Sequence, residues 1–103
     1  MKLVHAYPAA RGPNRVVVAH ELLHTLGATD KYDPATNRPI YPSGYAQPRR
    51  TPRLPQTKAE LMGGRLPISE HDARIPAGLH EVVIGPDTAY EIGWLAGAPR
   101  QRH

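Results

Sequence analysis

The chain has 103 residues, a formal net charge of +4 at pH 7, 40% hydrophobic residues and no cysteine, which sizes it for one domain and excludes disulfide staples, thiolate metal sites and cysteine nucleophiles. Twelve prolines, nine glycines, one Trp and no Phe leave few large apolar side chains for a core and imply long, stiff loops. No apolar run approaches the roughly 20 residues of a membrane span, and the first residues lack the apolar stretch of a signal peptide.

A short strand is expected over residues 3–7. Residues 14–26 carry the strongest helix signal, with Asn14 placed as N-cap after Gly12-Pro13 and Gly27 placed to close the helix in the left-handed conformation. At about 100° per residue, Val16, Val18, Ala19, Leu22, Leu23 and Leu26 fill one arc, the expected core face. His20, Glu21 and His24 share the remaining arc with Val17. Half of the prolines fall within 34–57, so that stretch reads as a long constrained loop. Residues 58–62 should add a helical turn before Gly63-Gly64 reverses the chain. Residues 81–85 read as a short strand, and 87–95 as a second helix capped by Asp87 and anchored by Trp94. The residues after Ala98 read as a frayed tail. The class expected from this order is α+β.

Residues 20–24 are His-Glu-Leu-Leu-His. Positions i and i+4 of a helix project side by side, so both imidazoles can reach one ion, while the adjacent glutamate is offset and can take a proton from a water that the ion activates. A third donor must come from chain that turns back after the helix. Gly27 permits the turn and Asp30 follows it, giving His-Glu-x-x-His-x-x-Gly-x-x-Asp over residues 20–30. Two imidazoles and a carboxylate suit zinc with a coordination position left open. His5, His71, His80 and His103 stand as alternative third ligands.

Other signals are weaker. Asp33 could orient a ligand histidine or bind calcium, but helix capping or loop solvation explains it as well. Tyr32, Tyr41 and Tyr45 could each offer a phenol to a developing oxyanion, although packing is the ordinary role. Arg49, Arg50 and Arg53 sit in the proline-rich loop without a phosphate-cradling glycine pattern, so they read as solvated and nucleic acid is not an expected partner. Ser69, His71 and Asp72 are too close in sequence to converge as a serine triad.

His20 to Asp30, followed by Lys31-Tyr32-Asp33 and later by Glu60-Leu61-Met62-Gly63-Gly64, resembles the metzincin zinc metallopeptidases, most closely the snapalysin-like subgroup with aspartate as third ligand. The resemblance implies zinc held by His20, His24 and Asp30, Glu21 as general base, and a Met-turn over 60–64 that places Met62 beneath the ligand histidines. It also implies a peptide or protein substrate and a small metzincin-like C-terminal half made of active-site helix, Met-turn, C-terminal helix and few short strands. Metzincins carry a further subdomain ahead of the active-site helix, and only thirteen residues precede Asn14 here. The chain therefore reads as the later part of a catalytic domain, completed by a missing front subdomain or by a partner chain. A non-catalytic zinc-binding module is the alternative reading.

Overall fold

The computed structural model describes residues 11–94. The expected strand over 3–7, the expected tail and the last residue of the expected second helix lie outside the described residues. Helix α1 spans Arg11–Thr25. Pro13 sits in its first turn, where an amide N–H would have no intrahelical acceptor, so proline costs nothing there. Asn14 therefore lies inside the helix and is not its N-cap.

The C-terminal end of α1 follows the expectation closely. Gly27 has φ +107°, the Gly27 N–H donates to the His24 carbonyl at 3.1 Å, and the Ala28 N–H reaches back to the Leu23 carbonyl at 3.0 Å. These two bonds form a Schellman closure, and its usual apolar contact is present because Leu23 and Ala28 share the core.

The buried stripe of α1 differs from the expected one. Val16 and Leu23 are buried with Ala19 packed beside them, whereas Leu22 is 57% and Leu26 53% exposed. The core lies under the edge of the apolar arc that borders the histidines, because the elements packed against α1 approach from that side. Helical periodicity marks an apolar arc but not which part of it a neighbour covers.

After the helix, β1 (Tyr32–Asp33) and β2 (Arg38–Pro39) form an antiparallel hairpin. Asp33 closes its turn, with Oδ1 accepting from the Ala35 N–H at 2.8 Å and its carbonyl accepting from the Thr36 and Asn37 N–H groups. The proline-rich stretch then runs without regular structure but with its own cross-links. Buried Gln56 accepts from the Gln47 N–H and donates to the Gln47 and Arg53 carbonyls. Gln47 in turn engages the Thr57 N–H and hydroxyl. This reciprocal pair supplies the partners that proline-rich backbone cannot supply for itself.

Residues Ala59–Glu60 form β3, followed by a 3₁₀ turn over Leu61–Gly63. The turn expected over 58–62 is thus present but begins later, since Ala59 and Glu60 are extended and pair in parallel with β6 (Val82–Val83). β4 (Leu66–Pro67) pairs antiparallel with β5 (Ala73–Arg74). A second 3₁₀ turn covers Leu79–Glu81, so the expected strand over 81–85 shrinks to Val82–Val83.

Helix α2 spans Pro86–Glu91 with Gly85 as its cap. Asp87 lies in its first turn and is not the cap, and Trp94 is 65% exposed and does not anchor it. The described part of the chain is an α+β unit of two helices and six short strands. Among the described residues no helix is long and apolar enough to cross a membrane.

One ion pair ties β5 to the second 3₁₀ turn. Arg74 Nη1 and Nη2 donate to the two Glu81 oxygens at 2.9 and 2.8 Å, and the Ala77 N–H adds a third bond to Glu81. The Arg74 guanidinium, helped by the Ala77 amide, holds the Glu81 carboxyl down from its ordinary 4.5 to about 2. A lowered carboxyl pKa stabilises the fold above the unfolded value, and that contribution is lost as pH falls through the folded value. The gap in Tm between the parent and Glu81→Gln should be constant above about pH 4.5 and should close toward pH 2. A gap that widens as the pH falls contradicts this assignment.

Candidate metal centre

The i, i+4 spacing on α1 brings His20 and His24 together, with ring centroids 4.8 Å apart. Each ring directs Nδ1 at a backbone carbonyl. His20 Nδ1 lies 3.0 Å from the Leu61 oxygen and His24 Nδ1 lies 2.9 Å from the Ala28 oxygen. A carbonyl only accepts, so both Nδ1 atoms carry the proton and donate. In the neutral ring Nε2 is then a bare lone pair.

Both of those lone pairs aim at Asp30. His20 Nε2 stands 2.9 Å and His24 Nε2 2.8 Å from the same Asp30 oxygen, Oδ1. Three electron-pair donors therefore converge, all within 4.8 Å of one another, and His20, His24 and Asp30 form a group that could hold a metal ion. Convergence of lone pairs is repulsive unless positive charge sits among them, supplied by an extra proton on each ring or by one metal ion. The side chains are graded in exposure from His20 at 14% through His24 at 32% to Asp30 at 43%, so the group opens toward solvent on the Asp30 side.

Asp30 is held by its neighbours in sequence. The Schellman closure fixes Ala28, and the Lys31 N–H donates to the Met62 carbonyl at 2.8 Å. Lys31 is buried, and its ammonium donates to the Thr29 carbonyl, the Thr29 hydroxyl and Glu91 Oε1 at 2.7–3.0 Å. The Thr29 N–H and hydroxyl also donate to Glu91. Burial pushes the Glu91 carboxyl up, but the bonds from Lys31 and Thr29 outweigh it and leave the carboxyl below its ordinary value. This clasp ties the loop that carries Asp30 to α2.

The 3₁₀ turn contacts His20. Met62 is fully buried in the core with Val16, Leu23 and Leu61, and Leu61 provides the carbonyl that orients His20. The turn is itself organised by Glu60, whose side chain is fully buried. Its Oε1 accepts from the Met62 and Gly63 N–H groups at 2.7 and 3.0 Å, and its Oε2 accepts from the Gly85 N–H at 2.9 Å. At Gly63 any larger residue would drive its Cβ into the Gly44 carbonyl.

A cavity of about 260 Å³ opens beside the group, lined among others by Val16, His20, Glu21, Tyr32 and Arg65. Glu21 is exposed there. No other described residue forms a hydrogen bond or ion pair with its carboxylate. Tyr32 approaches His20 with ring centroids 6.4 Å apart. Tyr41 and Tyr45 instead pack edge to face in the proline-rich loop with Arg53 stacked 4.1 Å above Tyr41, away from the histidines.

His71 and His80 take no part in the group, and His5 and His103 lie outside the described residues. Asp33 is spent on its turn, and Ser69, His71 and Asp72 form a local bend. Sequence reasoning missed the clasp and the role of Glu60. A carboxylate just before a glycine-closed turn has the pattern of a cap and could have flagged Glu60, whereas nothing local marks Lys31 as buried. Compared with protein-family models, curated proteins and solved structures, the chain matches none.

Proposed function

We propose that the chain is a zinc-dependent metallopeptidase of the metzincin kind, closest to the snapalysin-like subgroup, with His20, His24 and Asp30 as ligands and Glu21 as general base. The observation that carries this reading is the commitment of both Nδ1 atoms to carbonyls, which leaves two Nε2 lone pairs and a carboxylate aimed at one point. Imidazole with carboxylate is a zinc donor set, and ligands about 2.1 Å from a tetrahedral ion stand about 3.4 Å apart. Donor atoms within 4.8 Å of one another are compatible with that spacing after modest side-chain rotation, for which exposed Asp30 has room.

Zinc, when bound, supplies a Lewis acid for a scissile carbonyl and brings the pKa of a water to about 7. The chain's own residues do the rest. Glu21, on the cavity wall next to His20, takes a proton from the attacking water and returns it to the departing amine. The Leu61 and Ala28 carbonyls hold the imidazoles in one tautomer and one orientation. Met62, buried in the core with Val16 and Leu23 of the same helix, takes the place of the Met-turn methionine. No covalent bond to the enzyme is needed.

A non-catalytic metal module is the second reading, favoured by the Lys31–Glu91 clasp, which ties the same loop to α2 as a structural site would require. Zinc content and peptide hydrolysis in the parent and in Glu21→Gln separate the two. The peptidase reading expects one zinc per chain in both proteins and a loss of turnover of about 10²-fold to 10⁴-fold in the variant. Zinc in both with turnover in neither supports the module, and zinc in neither refutes both readings.

A further inference from the structure

The cavity next to the candidate metal centre holds a second charged group that the proposed chemistry does not use. Arg65 lines it and is half-buried, yet among the described residues its guanidinium has no hydrogen bond or ion pair. Glu21 lines the same cavity, and the two opposite charges are not paired. Arg65 follows Gly64, which abuts the Tyr32 ring, and Tyr32 in turn faces His20. Along the wall His20, Tyr32 and Gly64 are thus neighbours in that order, and Arg65 follows Gly64 in the chain. Val16, Val17 and Ile75 add apolar wall to the same cavity. An arginine without a partner is free to take one, and its planar fork matches a carboxylate with two parallel bonds.

We infer that Arg65 is a specificity-determining residue and that the cavity takes a carboxylate of the peptide substrate, from an acidic side chain or from the chain terminus. At about 260 Å³ the cavity falls just under the roughly 300 Å³ at which pockets begin to enclose whole ligands, so it is sized for one side chain or one terminus. Keeping Glu21 unpaired divides the labour. The carboxylate stays free to act as base while the cation is reserved for the substrate. The inference rests on the peptidase reading for the identity of the ligand as a substrate, but the binding it requires does not.

The test uses the full chain and acetylated, amidated peptides Ala-Ala-Xaa-Ala-Ala with Xaa as Glu, Gln, Leu or Lys, together with acetyl-Ala-Ala-Leu bearing a free terminal carboxylate. Affinities are read by NMR titration of the metal-free protein, following the Arg65 Nε–H signal, and zinc content is measured on parallel samples. The Glu peptide should bind at least about tenfold more tightly than the Gln peptide and should move the Arg65 signal. A response to the free-carboxylate peptide alone assigns the chain terminus as the source, a response to the Glu peptide alone assigns the acidic side chain, and responses to both show that the cavity takes either. Arg65→Met should abolish the Glu-over-Gln preference and Arg65→Glu should invert it toward Lys. Equal binding of the Glu and Gln peptides together with no response to the free-carboxylate peptide, or a carboxylate preference that survives in Arg65→Met, overturns the inference. The parent's own responses to the Glu, Gln and free-carboxylate peptides decide the matter even if a variant does not fold. Zinc bound normally without a carboxylate preference refutes this inference alone, and a preference without zinc refutes the peptidase reading alone.

Discussion

Glu60→Ala is expected to cost about 3–5 kcal/mol of stability, enough to bring the domain to the edge of folding. The size follows from what the carboxylate does. It is fully buried, and its two oxygens take three backbone N–H groups, from Met62, Gly63 and Gly85. Truncation leaves those amides without acceptors inside the protein and opens a void beside them, two penalties that add. Glu60→Gln keeps the volume but turns an accepting oxygen into a donating NH₂ that faces an N–H. It should cost about 1–3 kcal/mol. Because Leu61 orients His20 from the same turn, metal affinity should fall with stability in both variants. Urea denaturation measures the first effect and zinc titration the second. A Glu60→Gln midpoint equal to the parent's would show that the turn does not depend on the carboxylate.

Removing a ligand is the second large effect. Structural zinc sites contribute about 10–16 kcal/mol from four ligands, so one ligand is worth about 3 kcal/mol, or roughly a hundredfold in affinity. His24→Ala should lose at least that much. Zinc at a hundred times its Kd should stabilise the parent by about 2.7 kcal/mol. In a domain of this length that amounts to a rise of about 10–20 °C in Tm, and the same zinc should raise His24→Ala by no more than about 3 °C. Asp30→Asn retains an oxygen donor without its charge and should fall between. Calorimetric scans with and without zinc read all three. A zinc-induced rise that persists in His24→Ala would place the ion elsewhere.

The parts of the structure that were legible in the sequence are those fixed by local rules. The spacing of His20 and His24, the left-handed Gly27 and the return of the chain to Asp30 all act within eleven residues. The helix, its closure and the three-donor group accordingly follow from them. The α+β class follows from the same local signals. What escaped depends on chain brought from afar. Lys31 meets Glu91 across 60 positions and Glu60 meets Gly85 across 25, and no period or propensity carries that information. Leu22 and Leu26 look like core residues and are exposed because the neighbours of α1 pack nearer Val16 and Leu23. Trp94 fails as an anchor for a related reason, since α2 ends at Glu91 and its caps, not its aromatic residue, define its end. Gln47 and Gln56 would have passed as ordinary loop polars, yet their reciprocal bonds are what order the proline-rich stretch.

The central claim is that His20 and His24 keep Nδ1 protonated against carbonyls and turn both Nε2 lone pairs, with Asp30, onto one ion. Imidazole ¹⁵N–¹H correlation spectra of the full chain, recorded during a zinc titration, address it directly. Nδ1 should carry the proton in both rings throughout, and the two Nε2 signals should shift together and stop moving at one equivalent. Spectra in which Nδ1 binds the metal, or in which either Nε2 ignores it, would contradict the account.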